Sequence, residues 1–319
     1  MQSSTDRGSD PFVGQSEIFT IGIDLGGTKI AAGLVSFPSA QILAKEITPT
    51  LPERGGQAVL DDTLTLAHRL RRRAENLGAS VQGIGIGIAE LVNLQGDITS
   101  EYLIRWQTLP AKDSISEIAP ARFESDARAP ALAEALFGAG RSFNNFVYIT
   151  VGTGISYSLV VDGKPYAGSN GHALMLATGP LTSECEKCGA VQDQVLEEFA
   201  AGPSLVARYN RRADASLATG QQVIAAAAGG DRIAEQIVLS AGAALGNSVG
   251  FLVNVLDPQA VIVGGGLGLA GGLYWDSFVT STRRHIWSQV SKDLPIMCAQ
   301  LGADAGIIGA AAMIWKRRE

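Results

Sequence analysis

The chain has 319 residues, 46% hydrophobic and 18% charged, which is enough to bury two cores of ordinary size. Its formal charge is −6, and its one basic cluster, Arg69, Arg71, Arg72 and Arg73 beside His68, reads as a solvated helix face, which argues against a nucleic-acid partner. No apolar run predicts a membrane span, residues 1–17 read as a flexible lead without a signal core, and Cys185, Cys188 and Cys298 make no disulfide framework, so a reducing cytoplasm is the simplest setting.

Residues 18–35 set the pattern for the rest. An isoleucine-rich run ends at Asp24, crosses Gly26-Gly27 and resumes at Lys29 with alternating character, which predicts strand, tight turn, strand. The two glycines let backbone amides approach an anion. Asp24 offers a carboxylate to a hydrated magnesium ion, and Thr28 and Lys29 offer a hydroxyl and a cation to phosphate oxygens. Taken alone, an ordinary hairpin turn has the same signature. A strand is expected over 41–48, then a helix over 57–77 with Leu60, Leu64, Ala67 and Leu70 at three- and four-residue steps and Gly78 as its stop. The glycines of the next strand, Val81–Ile88, leave room for a neighbouring backbone or a ligand, and Ala89-Glu90 then stands at a cleft edge, ligand-facing or solvated.

A loop through Trp106 leads to a short helix over 113–118, a strand over 121–124 and a helix over 127–137 that tolerates Pro130 in its first turn. Asp126 at that junction reads as a helix cap, as a general base at a cleft, or as both. Residues 145–161 repeat the opening logic: an apolar strand enters Gly152-Thr153-Gly154 and another leaves it, so two such hairpins could grip a polyphosphate from both sides. Beyond a turn-rich stretch at 163–181, Cys185 to Gly189 form a small knuckle, helices follow over 196–199 and 203–209, and a long helix over 231–256 ends at Asp257-Pro258. A strand over 260–263 runs into Gly264-Gly265-Gly266, where bare backbone would let a base or ribose lie close. The last helix, 305–315, starts near Asp304 and ends in Lys316, Arg317 and Arg318, with charges matched to the helix dipole.

Four motifs together, Asp24 to Lys29, Val151 to Gly154, Val261 to Gly266 and Ala305 to Ala310, make the chain resemble the ROK family of sugar kinases and related repressors, from about Phe19 to Trp315. The resemblance implies an α/β, two-domain actin-like ATPase (ribonuclease H-like) fold with mixed sheets flanked by helices. Its expected parts are an N-terminal domain over 18–122 joined by the C-terminal helix 304–319, and a C-terminal domain over 123–303 with helices of the kind that form homodimers. It implies ATP and Mg2+ between the domains, with phosphates on Asp24, Gly26, Gly27, Thr28, Lys29, Gly152, Thr153 and Gly154 and the nucleoside near Gly264, Gly265 and Gly266. The family's catalytic base falls on Asp126, because a sugar hydroxyl is a poor nucleophile until a carboxylate takes its proton. The implied activity is ATP-dependent phosphorylation of a sugar or sugar-like hydroxyl; polyphosphate is left open as donor.

Departures from the family pattern gather on the acceptor side. Ala89-Glu90 stand where kinases of the family carry Pro-Gly, Ser125 replaces the Asn of Glu-Asn-Asp, and Met175 to Thr178 align with Glu-x-Gly-His. Glu90, Ser125, Asp126, Met175 and Thr178 are therefore the expected substrate positions, with Arg128 a further polar candidate, and the pocket is not expected to be a glucose site. A non-catalytic nucleotide- or sugar-binding sensor is the alternative. A repressor is disfavoured, since about seventeen residues before the first strand are too few for a DNA-binding domain. Cys185 and Cys188 supply only half of a tetrahedral zinc site, with His172 thirteen residues before Cys185, so zinc is not expected.

Overall fold

The computed structural model describes residues 17–173, 175–181, 183–184, 188–189 and 191–316; the lead before Glu17, Cys185 of the knuckle, Arg317 and Arg318 lie outside the described residues. Ile18–Leu25 (β1), Lys29–Phe37 (β2) and Gln41–Pro49 (β3) form an antiparallel meander, and Val81–Ile88 (β4) and Ala121–Ser125 (β5) extend it in parallel, giving the order β3-β2-β1-β4-β5. Between β3 and β4 runs Gly56–Asn76 (α1); Ala111–Ser116 (α2) precedes β5, and Arg128–Phe137 (α3) follows it. The period-two alternation of β1 sends Ile21, Ile23 and Leu25 into a core shared with Leu60, Ala67 and Leu70 of α1.

A second sheet repeats the first. Phe146–Val151 (β6), Ile155–Val161 (β7) and Lys164–Pro165 (β8) form its antiparallel part. The two-residue strands Ser183–Glu184 (β9) and Val191–Gln192 (β10) pair outside it, and Ala260–Gly264 (β11) and Ile296–Cys298 (β12) join β6 in parallel. The order β12-β11-β6-β7-β8 is the first sheet's order with its strands renumbered. One face is covered by Leu196–Ala200 (α4), Gly202–Ala213 (α5), Gly220–Ala228 (α6), Arg232–Leu256 (α7) and Gly272–His285 (α8), which together hold the largest core. Among the described helices α7 alone is long and apolar enough to cross a membrane, yet 61% of its apolar window is buried in the protein, as befits a core helix.

The last helix, Ala305–Trp315 (α9), leaves the second sheet and packs on the first. It lies so close that a Cβ on Gly22 would stand 1.9 Å from the Ile307 carbonyl, and one on Gly85 1.8 Å from that of Ala310. Gly22 of β1 and Gly85 of β4 thus admit a helix backbone rather than a ligand. α3 is wedged between the halves: Ala129 meets Gly309 of α9, while Ala131 packs with Tyr148 and Ile262 of the second sheet. Glu134, fully buried on α3, accepts hydrogen bonds from Ala139 N at 2.7 Å and from Leu301 N at 2.8 Å, where the chain crosses back to α9.

Candidate active site

Every parallel strand that ends centrally delivers a polar or glycine segment to one cleft of about 1140 Å³, as open α/β sheets do at the carboxyl ends of their strands. β1 delivers Asp24, β4 delivers Ala89-Glu90, β5 delivers Ser125-Asp126, β6 delivers Gly152 and β11 delivers Gly265-Gly266; all of these line the cleft, as do Gly26, Gly27, Thr28, Lys29, Thr153 and Gly154. Gly264 sits one step behind, closing β11 against Tyr148, whose hydroxyl would be 2.5 Å from a Cβ there.

The two glycine turns meet. Thr28 Oγ1 and Thr153 Oγ1 are 3.4 Å apart, one from each sheet. The first turn is closed by Gly26 N donating to the Lys29 carbonyl at 3.1 Å and braced by Thr50 Oγ1 donating to the Gly26 carbonyl at 2.6 Å. In the second, Gly152 N donates to the Gly154 carbonyl at 2.9 Å, and the Glu197 carboxylate accepts from Ile155 N at 2.7 Å. Gly202 N donates to the Gly152 carbonyl at 2.9 Å, so α4 and α5 hold this turn from behind.

Asp24 and Asp126 face the same space. Burial pushes Asp24 up to about 6 against the opposing pull of Lys29. Asp126 rises to about 7, first through burial and then through the charges of Asp24 and Glu197, with the Ala127 amide and Arg128 opposing. Burial is the leading cause of both shifts, and a carboxyl brought close to neutrality in this way is suited to act as a base. Ala127, not Asp126, is the cap of α3, and the Ala127 amide donates to Ser125 Oγ at 3.2 Å. Asp126 is itself fixed by its amide donating to the Ile88 carbonyl at 3.1 Å.

Two of the other acceptor-side residues, Glu90 and Arg128, are occupied within the protein. Glu90, 6% exposed, accepts from Ser100 Oγ and from the amides of Tyr102 at 3.0 Å, Leu103 at 2.7 Å, Ile104 at 2.7 Å and Arg105 at 3.4 Å; these bonds hold its carboxyl below the usual range despite burial. The buried Arg128 guanidinium pairs with Glu124 and donates to the carbonyls of Gly171 at 2.5 Å and Val92 at 3.1 Å. Met175 and Thr178 are exposed on the cleft wall, where Thr178 Oγ1 donates to the Met175 carbonyl at 2.6 Å. His172 Nε2 lies 2.9 Å from Thr99 Oγ1, and Cys188 is an exposed free thiol whose companion Cys185 is not described.

Several wall residues carry no sequence signal for a ligand, although Thr219 and Gln222 have the spacing of a capping box that starts α6. Val206 and Ala207 of α5 and Thr219, Gly220 and Gln221 at the start of α6 border the cleft beside Gly266. Gly306, inside the Ala305 to Ala310 motif, is the exception: a Cβ there would stand 2.5 Å from the Asp24 carboxylate, so only glycine lets α9 begin beside it.

Two α/β halves with the same strand order, closing on a cleft between paired glycine turns, define the actin-like ATPase fold with its ribonuclease H-like halves. The chain belongs to the ROK family, which it matches over residues 20–317. It is 32% identical to the glucokinase of Streptomyces coelicolor, the similarity covering 92% of this chain and 96% of that one. Among solved structures, the ROK hexokinase of Thermus thermophilus is 31% identical with a TM-score of 0.76, covering 95% and 99% of the two chains. The ROK family glucokinase of Streptomyces griseus, solved with glucose and AMPPNP, is 28% identical with a TM-score of 0.78, covering 93% and 99%.

Proposed function

We infer that the protein is an ATP-dependent carbohydrate kinase that phosphorylates a hydroxyl of a sugar or sugar-like small molecule. One observation carries the reading: two glycine turns from opposite sheets meet at Thr28 and Thr153, in the same cleft as Asp126. Asp126 takes the proton of the acceptor hydroxyl as that oxygen bonds to the γ-phosphorus; the bond from phosphorus to the β,γ-bridging oxygen breaks, and ADP leaves. A carboxyl poised at about 7 is matched to that task. Gly26, Gly27, Gly152 and Gly154 present turn backbone to the phosphates, Lys29 adds a cation, and Gly265 and Gly266 with Gln221 wall the nucleoside. The named activities of the glucokinase and hexokinase relatives support this reading over a non-catalytic sensor.

The donor set fits magnesium. Among the described residues no group of three or more His, Cys, Asp or Glu side chains could hold a metal, and Mg2+ is commonly held by one or two carboxylates together with substrate phosphates and water. Asp24, raised to about 6 beside Asp126, is the carboxylate that would serve, and the ion would neutralise the transferring phosphoryl group.

The acceptor would rest against Ser125, Met175 and Thr178, near Asp126. We place the domain division as 18–122 with the returning C-terminal helix against 123–303, in keeping with two sheets of matching order and α9 packed on the first. A homodimer in the cytoplasm is the assembly and setting we favour: Phe251, Val255, Trp287 and Val290 leave a strongly exposed apolar patch at the end of α7, and Cys188 and Cys298 are free thiols. The test is an ADP-release assay over neutral hexoses, N-acyl amino sugars, amino sugars and sugar acids. Turnover of at least one is expected; no turnover with any of them would sink the reading.

A further inference from the structure

The Glu90 carboxylate borders the cleft as a buried charge, and the hydrogen bonds it accepts all come from one segment. Both oxygens are used: one accepts the amides of Leu103 and Ile104, with Arg105 N farther off at 3.4 Å, and the other accepts Ser100 Oγ and the amide of Tyr102. A carboxylate desolvated to this degree is stable only where donors replace its water, and here one loop supplies them. The segment it gathers is not relaxed. Arg105 sits at φ 61, the left-handed region that a side-chain-bearing residue avoids unless its surroundings hold it there. The far end is pinned separately, by Trp106 Nε1 donating to the Gly56 carbonyl at 2.9 Å.

The gathered loop carries Leu103 across to the first phosphate turn. Its Cδ2 lies where a Cβ on Gly27 would be only 2.5 Å away, so leucine and glycine backbone are in contact and Leu103 braces the turn on one flank. We propose that Glu90 is a positioning residue for nucleotide binding: it folds the loop from Ser100 to Arg105 so that Leu103 holds the Gly26-Gly27 turn in its phosphate-binding shape. Glu90 in this role is an organiser rather than the substrate ligand expected of it. The inference deepens the kinase reading and rests on it, since it concerns the turn assigned to phosphate.

The test is calorimetric binding of AMPPNP with magnesium to the full chain, which needs no acceptor. Glu90→Ala and Leu103→Ala should each weaken binding about fivefold or more. The double variant should be within about twofold of the weaker single one, because both changes remove the same brace. Glu90→Gln should fall between, because one amide oxygen can satisfy the Leu103 and Ile104 amides or the Ser100 and Tyr102 donors but not both sets. Hydrogen exchange in the nucleotide-free protein should be at least about tenfold faster at the Leu103 and Ile104 amides in Glu90→Ala, with β1 and β4 unchanged. Faster exchange with unaltered AMPPNP affinity would reduce Glu90 to a structural prop and overturn the proposal, as would additive effects of the two variants. Failure of the kinase reading is seen elsewhere, as intact nucleotide binding with no acceptor phosphorylated.

Discussion

Thr28 and Thr153 face each other hydroxyl to hydroxyl at 3.4 Å, each in the glycine turn that joins the first antiparallel pair of its sheet. The cleft is therefore built twice by one device, and a polyphosphate between the turns would meet backbone amides from both sides. Replacing either threonine with valine keeps its shape and removes its hydroxyl. Each variant should raise KM for ATP several-fold while kcat changes less, in steady-state assays at saturating acceptor. An unchanged KM in both would detach the hydroxyls from phosphate recognition.

Asp126→Asn should lower kcat by roughly 10²- to 10⁴-fold, the usual worth of general base catalysis, with AMPPNP affinity retained. Full activity in that variant would remove Asp126 from the chemistry. The carboxylate works only when ionised, so kcat/KM should climb with pH through about 7, and Asn at this position should abolish that limb from whatever activity remains.

The same shift bears on stability, with the opposite sign. Asp24 and Asp126 ordinarily titrate at 3.8 and are raised to about 6 and about 7 in the folded protein. Between those values the folded state binds more protons than the unfolded one, so stability falls as pH rises from about 4 through about 7. The nucleotide-free protein should melt at a lower temperature at pH 8 than at pH 5, in scanning calorimetry corrected for buffer, and Asp126→Asn should flatten the upper part of the trend. A melting temperature that increases across this window would contradict the burial of these two acids.

Close approach of α9 to the first sheet depends on Gly85, where a methyl group would meet the Ala310 carbonyl at 1.8 Å. Gly85→Ala must push the helix away, at a cost of about 1–3 kcal/mol or more from overpacking, read from urea denaturation. Because α9 also begins beside Asp24, the loss of stability should come with weaker nucleotide binding; a variant as stable as the parent would mean that the helix can shift freely.

Phe251 and Val255 of α7 and Trp287 and Val290 after α8 are all strongly exposed, and Trp287 N donates to Asn254 Oδ1 at 2.8 Å, which sets the Trp287 segment against the end of α7. Light scattering after size exclusion should give the mass of two chains for the parent and of one for Phe251→Asp/Trp287→Asp. A monomeric parent would leave the patch without this explanation.

Local pattern determined much of this protein. The strands Ile18–Leu25, Val81–Ile88 and Phe146–Val151, the long helix Arg232–Leu256 and both glycine turns are legible because apolar period and glycine placement act within a few residues of themselves. The ROK motifs Asp24 to Lys29 and Val151 to Gly154 are legible for the same reason, since a tight glycine turn is a local object. Two helices escaped: α6 is an alanine run with little polar contrast, and α8 is rich in aromatic and β-branched residues, folding against α7 through contacts far away in sequence. The fates of Glu90 and Arg128 were likewise beyond any local signal. A buried charge takes whatever donors or carbonyls the fold brings to it, and these came from residues 100–105 for the one, and from Glu124, Val92 and Gly171 for the other. Sequence marked both as polar residues at a cleft; only the tertiary structure decided that their charges are spent inside the protein, because desolvation has to be answered by partners that are near in space and not in the chain.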